Sequence, residues 1–363
     1  MFFGTKVYSL LLLQSFFLPH SATYRTPRSL CKADEDCKPL KECPDLQVFN
    51  SNQNADNAML RDRKCSNNYW NPNLYCCPKP GNFLPNTTCG NRSKRTKGRK
   101  AGLNEFPWMA MLLYLNNKTK QMEPHCGGSL INNWFVLTAG HCVHVSIYNI
   151  GDLQKVRLGA HYTDPNRKMP GALPIVEIDV DRIIKHDQYF HSTSFRNDIA
   201  LLRLKMPVRY SVAIQPICLP TAEAPHHDRI FEAAGWGNGS PVLVRKFLKE
   251  NLPNNTLCKN EAFVSKLQIC AGGREGGDDS CKGDSGGPLM STTTENKTLL
   301  AGIISFGKKG KASFYTDTRQ YLTWIKKKLE KDTIQNVTKY PSFKQFKSQV
   351  QNKKKKHWKY NLN

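Results

Sequence analysis

The chain has 363 residues, of which 39% are hydrophobic, and 53 Lys and Arg against 29 Asp and Glu give a formal net charge of +24. At about 150 residues per domain this length predicts two or three domains, and the hydrophobic share excludes a wholly disordered chain. Thirteen cysteines indicate an oxidising compartment, because cytosolic reductants would keep most of them as thiols.

Residues 1–22 have the pattern of a cleaved signal peptide. Lys6 precedes an apolar run from Val7 to Leu18, and Ser21-Ala22 offers small residues for cleavage. The run is too short for a bilayer, which needs about 20 apolar residues, and no later stretch reaches that length. We therefore expect a secreted, extracellular protein with no membrane span. Sequons fit a secreted glycoprotein and begin at Asn86, Asn91, Asn117, Asn238, Asn254, Asn296 and Asn336.

Residues 30–78 are predicted to form a small disulfide-knotted module. The segment lacks long apolar runs and therefore needs covalent staples, which it can draw from Cys31, Cys37, Cys43, Cys65, Cys76 and Cys77. Spacing does not choose among the pairings, although the neighbours Cys76 and Cys77 point apart and should reach different partners. A zinc site is the alternative, and it is less favoured because the segment contains no His.

Residues 79–100 form a predicted linker and activation segment. Their composition changes to Pro, Gly, Asn and basic residues, ending in the run Arg92-Ser-Lys-Arg-Thr-Lys-Gly-Arg-Lys100. Because exposed segments of this kind are preferred sites of proteolysis, we expect an upstream protease to cut here.

Residues 101–330 have the pattern of an all-β domain. Short apolar runs alternate with Gly, Asn and Pro turns; they include MAMLLYL, FVLTAG, PIVEIDV, IALLRL and TLLAGIISF. Many short strands with few helical periods predict a barrel or a sandwich. One C-terminal helix should dock on this domain through a single face formed by Tyr321, Leu322, Ile325 and Leu329.

The remaining residues, 331–363, are basic and lack an apolar period, so they are predicted to be a disordered tail. Anionic glycans or microbial surfaces fit the charge of the run Lys353–Lys356, whereas secretion argues against nucleic acid as a partner. His226-His227 lie in a polar loop and are expected at the surface. No metal-binding constellation stands out, and no cofactor is predicted.

Three motifs in the all-β segment carry the residues of nucleophilic catalysis. They are Thr138-Ala-Gly-His141-Cys142, Asn197-Asp198-Ile-Ala-Leu-Leu202 and Asp279-Ser-Cys-Lys-Gly283-Asp284-Ser285-Gly-Gly-Pro288. A serine hydroxyl is a weak nucleophile that needs an imidazole to take its proton and a buried carboxylate to hold that imidazole. The glycines beside Ser285 let the Gly283 and Ser285 N–H groups point together at a developing oxyanion.

In this His, Asp, Ser order, residues 106–328 resemble a chymotrypsin-family serine protease. The six-cysteine module with its closing Cys-Cys resembles the clip domain of arthropod proteases. Together they indicate a clip-domain serine protease zymogen. The resemblance implies an all-β, chymotrypsin-like double β-barrel with a C-terminal helix behind a small clip domain, and a catalytic triad of His141, Asp198 and Ser285.

The resemblance also implies a disulfide pattern. The pairs are Cys31–Cys76, Cys37–Cys65, Cys43–Cys77, Cys89–Cys218, Cys126–Cys142 and Cys258–Cys270. Cys281 remains unpaired, because the loop after Ser305-Phe306-Gly307 lacks the cysteine that the family places there. One wall of the specificity pocket is therefore expected to lack its staple.

Substrate-binding residues follow from the same resemblance. Asp279, six residues before Ser285, stands where the family places a carboxylate at the floor of the pocket, which implies cleavage after Arg or Lys. Ser305 and Gly307 stand at the pocket edge. Ser313 replaces the usual Gly and is expected to narrow the pocket or to hydrogen-bond within it.

The activation segment departs from the family. Family zymogens are cut before Ile or Val, and the new ammonium pairs with the carboxylate that precedes the catalytic serine, here Asp284. This chain has Arg95-Thr96-Lys97-Gly98 at the equivalent place, and burying these side chains carries a desolvation penalty. We therefore expect weak activation by this route. Arg92-Ser-Lys-Arg95 also resembles a furin-type site.

Two functions fit these observations. The first is a trypsin-like endopeptidase in an arthropod immune or melanisation cascade. The family then implies an activating protease upstream, another zymogen or a cytokine precursor as substrate, and a serpin as inhibitor. The second is a non-catalytic homologue that acts as a binding cofactor, which the missing Ile terminus and the missing disulfide favour. The complete set His141, Asp198, Ser285, Gly283 and Asp279 favours the enzyme.

Overall fold

A computed structural model describes residues 31, 35–43, 46, 60–61, 63–65, 73–78, 84–85, 88–93, 95–143, 151–189, 195–221, 230–273, 282–307 and 311–339. The predicted signal peptide, His226-His227, Asp279, Cys281 and the run Lys353–Lys356 lie outside these ranges. The chain divides into two compact units, Met1–Lys79 and Pro80–Asn363. No helix among the described residues is long and apolar enough to cross a membrane.

The first unit is built on a two-stranded antiparallel sheet. Strand β1 (Glu35–Pro39) pairs with β2 (Leu74–Pro78), with Cys37 opposite Cys76. Its disulfides are Cys31–Cys76, Cys37–Cys65 and Cys43–Cys77, the pairs that the family resemblance implies. One buried ion pair, Arg63 Nη1 to Glu35 Oε1 at 3.2 Å, accompanies them. Covalent links thus take the place of a large apolar core.

The second unit begins with a closed six-stranded barrel. Its strands are β3 (Met109–Leu115), β4 (Met122–Leu130), β5 (Phe135–Thr138), β6 (Asp152–Leu158), β7 (Val176–Lys185) and β8 (Ala200–Leu204). The order around the barrel is β3-β4-β5-β8-β7-β6. Strand β3 is buried along almost its whole length, which explains its unbroken apolar sequence.

Six further strands form a second, barrel-like sheet. They are β9 (Ile230–Gly235), β10 (Val244–Lys249), β11 (Gln268–Ala271), β12 (Pro288–Thr292), β13 (Thr298–Gly307) and β14 (Ser313–Asp317), in the order β10-β9-β12-β13-β14-β11. Its edge strands approach each other through a bridge between Glu250 and Ala271. The double-barrel architecture that the family resemblance implies is confirmed, and each of the apolar runs contributes a strand.

The two sheets of this unit meet beside the TAGHC and GDSGGP motifs. A side chain on Gly127 of β4 would lie only 3.3 Å from Cα of Gly287, so the backbones pack directly against each other. The Gly127 N–H donates to the Ser285 carbonyl at 2.8 Å. Trp108, fully buried, reaches across to Met290 on β12. This junction brings motifs from both sheets together.

The C-terminal helix, α1 (Leu322–Lys339), is longer than the sequence predicts. Leu322, Ile325 and Leu329 are buried as expected. The boundary predicted at residue 330, with a disordered tail beyond it, is wrong for residues 331–339, which continue the helix. Asp332 lies in this extension: it is buried and accepts from Arg203 Nε at 3.0 Å and from Arg182, so ion pairs anchor the helix beyond residue 330.

Candidate active site

His141 and Asp198 leave neighbouring strands at the same edge of the first barrel. Strand β5 ends at Thr138, which pairs with Ala200 at the start of the antiparallel β8. His141 follows β5 in a short 3₁₀ turn, and Asp198 lies two residues before β8. The disulfide Cys126–Cys142 ties the turn to β4. Strand pairing therefore brings together two residues that are 57 positions apart.

The pair is buried and geometrically well formed. Asp198 Oδ2 lies 2.8 Å from His141 Nδ1, and Asp198 Oδ1 accepts the backbone N–H of His141 at 2.8 Å. The Ser305 hydroxyl on β13 donates to Oδ2 as well. Burial raises the pKa of Asp198, but the His141 charge and these hydrogen bonds outweigh it and hold the pKa below its usual value. An ionised carboxylate facing Nδ1 leaves Nε2 as the proton acceptor.

Ser285 lies on the turn that precedes β12, beside the histidine. Gly286, at φ +77°, has no room for a side chain, because one would collide with Thr138 and lie 3.1 Å from Cys142 Sγ. His141 Nε2 is 3.7 Å from the same sulfur. The Ser285 side chain is partly exposed, whereas His141 is buried. The structure thus brings the third motif against the other two, with the serine on the solvent side.

Backbone hydrogen bonds hold the Ser285 turn at both ends. The Lys282 carbonyl accepts from Asn238 N–H at 2.8 Å, and the Gly287 N–H donates to the Asp284 carbonyl at 2.9 Å. Gly283 has φ +97°, a conformation that residues with side chains rarely adopt. Together with the bond from Gly127 of β4 to the Ser285 carbonyl, these contacts hold the turn that carries the Gly283 and Ser285 N–H groups.

Asp284 points away from Ser285 into the second sheet. Its carboxylate is 1% exposed and accepts the Gly237 N–H at 2.9 Å through Oδ1, while Lys246 Nζ pairs with Oδ2. A side chain on Gly237 would collide with the carboxylate. Sequence reasoning missed Lys246. Strand alternation could have pointed to this residue, because Lys246 lies on the same face of β10 as the buried Leu248.

Three of the four predicted pocket residues, Ser305, Gly307 and Ser313, lie on β13 and β14. Ser305 is buried and its hydroxyl donates to Asp198, so this side chain contacts the buried pair of His141 and Asp198. Gly307 is paired with the buried Ser313, and a side chain at Gly307 would collide with the Ser313 hydroxyl. Ser313 thus crowds the space beside Gly307. Phe306, between Ser305 and Gly307, stacks on Phe314 with ring centroids 4.7 Å apart.

The remaining disulfides also match the implied pattern, with Cys89–Cys218 and Cys258–Cys270 in the second unit. Groups of cysteine, histidine and glutamate close enough to share a metal ion occur among the described residues, but every cysteine in them is disulfide-bonded. These sulfurs are not available to the zinc ion considered for the cysteine-rich module.

The end of the linker is held by buried charges that sequence reasoning did not single out. Arg245 on β10 pairs with Glu105, and its Nη2 donates to the carbonyls of Thr96 at 2.7 Å and Gly98 at 2.6 Å. Glu105 also accepts the Thr96 hydroxyl at 3.1 Å. The chain then runs beside β10, where the backbone N–H of Arg245 donates to the Arg99 carbonyl at 2.7 Å. Residues 96–99 are thus docked in the uncleaved chain.

Comparison with known proteins agrees with this architecture. A family model described as Trypsin matches residues 95–325. The CLIP domain-containing serine protease HP8 of Bombyx mori is 33% identical over 83% of this chain and 93% of its own length. The serine protease ea of Drosophila melanogaster is 33% identical over 84% and 89%. The Spaetzle-processing enzyme of Drosophila melanogaster is 38% identical over 69% and 70%. The chain belongs to the trypsin family of serine proteases, among the arthropod clip-domain proteases.

Proposed function

We propose that this protein is a catalytically active, secreted serine endopeptidase that cleaves protein substrates after Arg or Lys. The observation that carries the proposal is the buried pair of His141 and Asp198, 2.8 Å apart, together with a Ser285 turn that packs against Gly127 and against Cys142, the residue next to His141. A buried carboxylate that orients an imidazole is the arrangement that general-base catalysis needs, and binding alone does not require it.

The proposed reaction proceeds through an acyl-enzyme. Ser285 Oγ attacks the scissile carbonyl carbon as His141 Nε2 takes its proton, and the carbonyl π electrons move to oxygen. The Gly283 and Ser285 N–H groups stabilise that oxyanion. Collapse of this tetrahedral intermediate breaks the C–N bond, and His141 returns the proton to the leaving amine. Water then repeats the sequence, with His141 as base, and releases the acid and free Ser285.

The proposed specificity rests on Asp279, whose carboxylate would pair with the substrate cation at the floor of the pocket. The crowding of Gly307 by Ser313 supports a pocket narrower than one with Gly at both positions. Asp279 itself lies outside the described residues.

The proposed setting is an extracellular cascade. One relative is named for the processing of Spaetzle, and by likeness we assign a protein precursor as substrate here. The activator would be an upstream protease acting on the linker, and the signal-peptide pattern of residues 1–22 supports secretion. An inhibitor of the serpin class follows from the family.

The proposal is tested by Ser285→Ala and His141→Ala on the full-length chain. Each change should abolish labelling by a fluorophosphonate probe and hydrolysis of Arg peptides, because nucleophile or base is lost, while thermal unfolding stays cooperative. Ser129→Ala is a matched control: this buried serine has no hydrogen-bond partner for its hydroxyl among the described residues, and activity should persist.

A parent protein that neither reacts with the probe nor hydrolyses peptides, both intact and after cleavage of the linker, would contradict the enzyme. That result would favour the binding cofactor, which the atypical activation segment makes the second candidate.

A further inference from the structure

A lysine side chain holds the carboxylate beside the catalytic serine. Asp284 is 1% exposed and Lys246 is 12% exposed, so their ion pair is largely removed from solvent. Lys246 is on β10, opposite Ala233 of β9, and reaches the turn that enters β12. A carboxylate at this burial needs a cation nearby, because desolvation of an unpaired charge is costly.

The pair acts on the segment that would bind the oxyanion. Asp284 lies between Gly283 and Ser285, so the position of its carboxylate sets the orientation of both flanking peptide groups. With Oδ1 on Gly237 N–H and Oδ2 on Lys246, the side chain is held at two points. The described Gly283–Ser285 turn is therefore anchored while residues 95–100 are still joined to the chain that precedes them.

The linker residues that would form a new N-terminus already make other contacts. A cut before Thr96 would leave its new ammonium 3.5 Å from the Glu105 carboxylate. The carbonyls of Thr96 and Gly98 accept hydrogen bonds from Arg245, and Lys100 forms an antiparallel β-bridge with Val244. To reach Asp284, a new terminus would have to abandon these contacts and displace Lys246.

We propose that Lys246 supplies, within the uncleaved chain, the ammonium that positions Asp284 and thereby forms the oxyanion-binding turn before any proteolysis. Lys246 is a positioning residue, and the inference rests on the proposed hydrolase. The protein is then competent as a single chain, and cutting the linker alters its covalent connection to the N-terminal module and not its catalytic state.

The experiment uses the full-length chain with its linker made resistant by Lys94→Gln, Arg95→Gln and Lys97→Gln, and checked as uncut by intact mass. The rate of Ser285 acylation by a fluorophosphonate probe should lie within about tenfold of that of the cleaved parent. Lys246→Met in the same background should lower this rate by at least about 100-fold, the factor expected when an oxyanion-binding N–H is no longer in place.

Matched variants separate positioning from folding. Lys249→Met, at an exposed lysine on the same strand, should leave the rate unchanged, and Lys246→Arg should restore it to within about tenfold of the parent. The loss in Lys246→Met should fall on kcat more than on KM, because the oxyanion is bound only in the transition state. If Lys246→Met does not fold, Lys246→Met with Asp284→Asn removes both charges and must show the same loss.

An uncut parent that is inert while the cleaved parent reacts would overturn the inference and leave the hydrolase standing. So would a Lys246→Met protein that reacts like the parent. Failure of the parent to react in both forms would overturn the hydrolase itself and the inference with it.

Discussion

Replacing Asp198 by Asn tests whether the buried pair controls catalysis through the protonation of His141. The carboxylate accepts His141 N–H on Oδ1 and faces His141 Nδ1 and the Ser305 hydroxyl with Oδ2. If Asn keeps its oxygen on the backbone N–H, its NH₂ group faces Nδ1. Two donors cannot pair, so the imidazole adopts the tautomer with the proton on Nε2, where it cannot accept the serine proton.

We expect Asp198→Asn to lower kcat about 10⁴-fold, which corresponds to about 5 kcal/mol of transition-state stabilisation. Ser305→Ala is the graded control. It removes one hydrogen bond to the carboxylate without changing its charge and should cost about 10- to 100-fold. The measurement is kcat on an Arg peptide, normalised by active-site titration. A folded Asp198→Asn protein that keeps kcat within about tenfold of the parent would refute the reasoning.

The same variant tests the depressed pKa of Asp198. Burial raises this pKa, but the His141 charge and the hydrogen bonds outweigh it and hold it below 3.8. The ionised carboxylate therefore contributes stability at pH values above 3.8, and this contribution is lost as the pH falls through the lower native pKa. The stability difference between parent and Asp198→Asn, from thermal unfolding, should shrink in that acid range. A difference that grows there contradicts the assignment.

Three further outcomes are expected. Asp279→Ser should lower the ratio of kcat/KM for Arg over Leu substrates by about 100-fold or more, because the buried substrate cation loses its partner, and an unchanged ratio would remove Asp279 from the pocket. After linker cleavage, non-reducing electrophoresis should show one species held by Cys89–Cys218, whereas recovery of a free N-terminal fragment without reductant would contradict this tether. Limited trypsin digestion followed by N-terminal sequencing should find cleavage after Arg95, whose side chain is 48% exposed, before cleavage after Arg92, which is 12% exposed and ion-paired.

The sequence by itself determined the all-β class and the identity of the chemical groups, while the double barrel was implied by the family resemblance. The short apolar runs predicted strands, because they are bounded by Gly, Asn and Pro turns and few of them have a helical period. The three motifs pointed to His141, Asp198 and Ser285, because the proposed peptide hydrolysis uses a nucleophile, a base and an orienting carboxylate in short motifs of this kind. These features are local, so that spacing within a motif is enough to read them.

Only the tertiary structure decided which charges meet. Strand alternation places Lys246 on the same face of β10 as the buried Leu248, but no local pattern identifies Asp284, 38 positions away, as its partner. The choice follows from the register of β10 on β9, which places Lys246 opposite Ala233, within reach of the Ser285 segment. Asp332 extends α1 for the same reason, since its arginine partners lie on other strands. Charge pairing in a buried place depends on distance and desolvation in three dimensions, and these quantities exist only after the strands have closed around it.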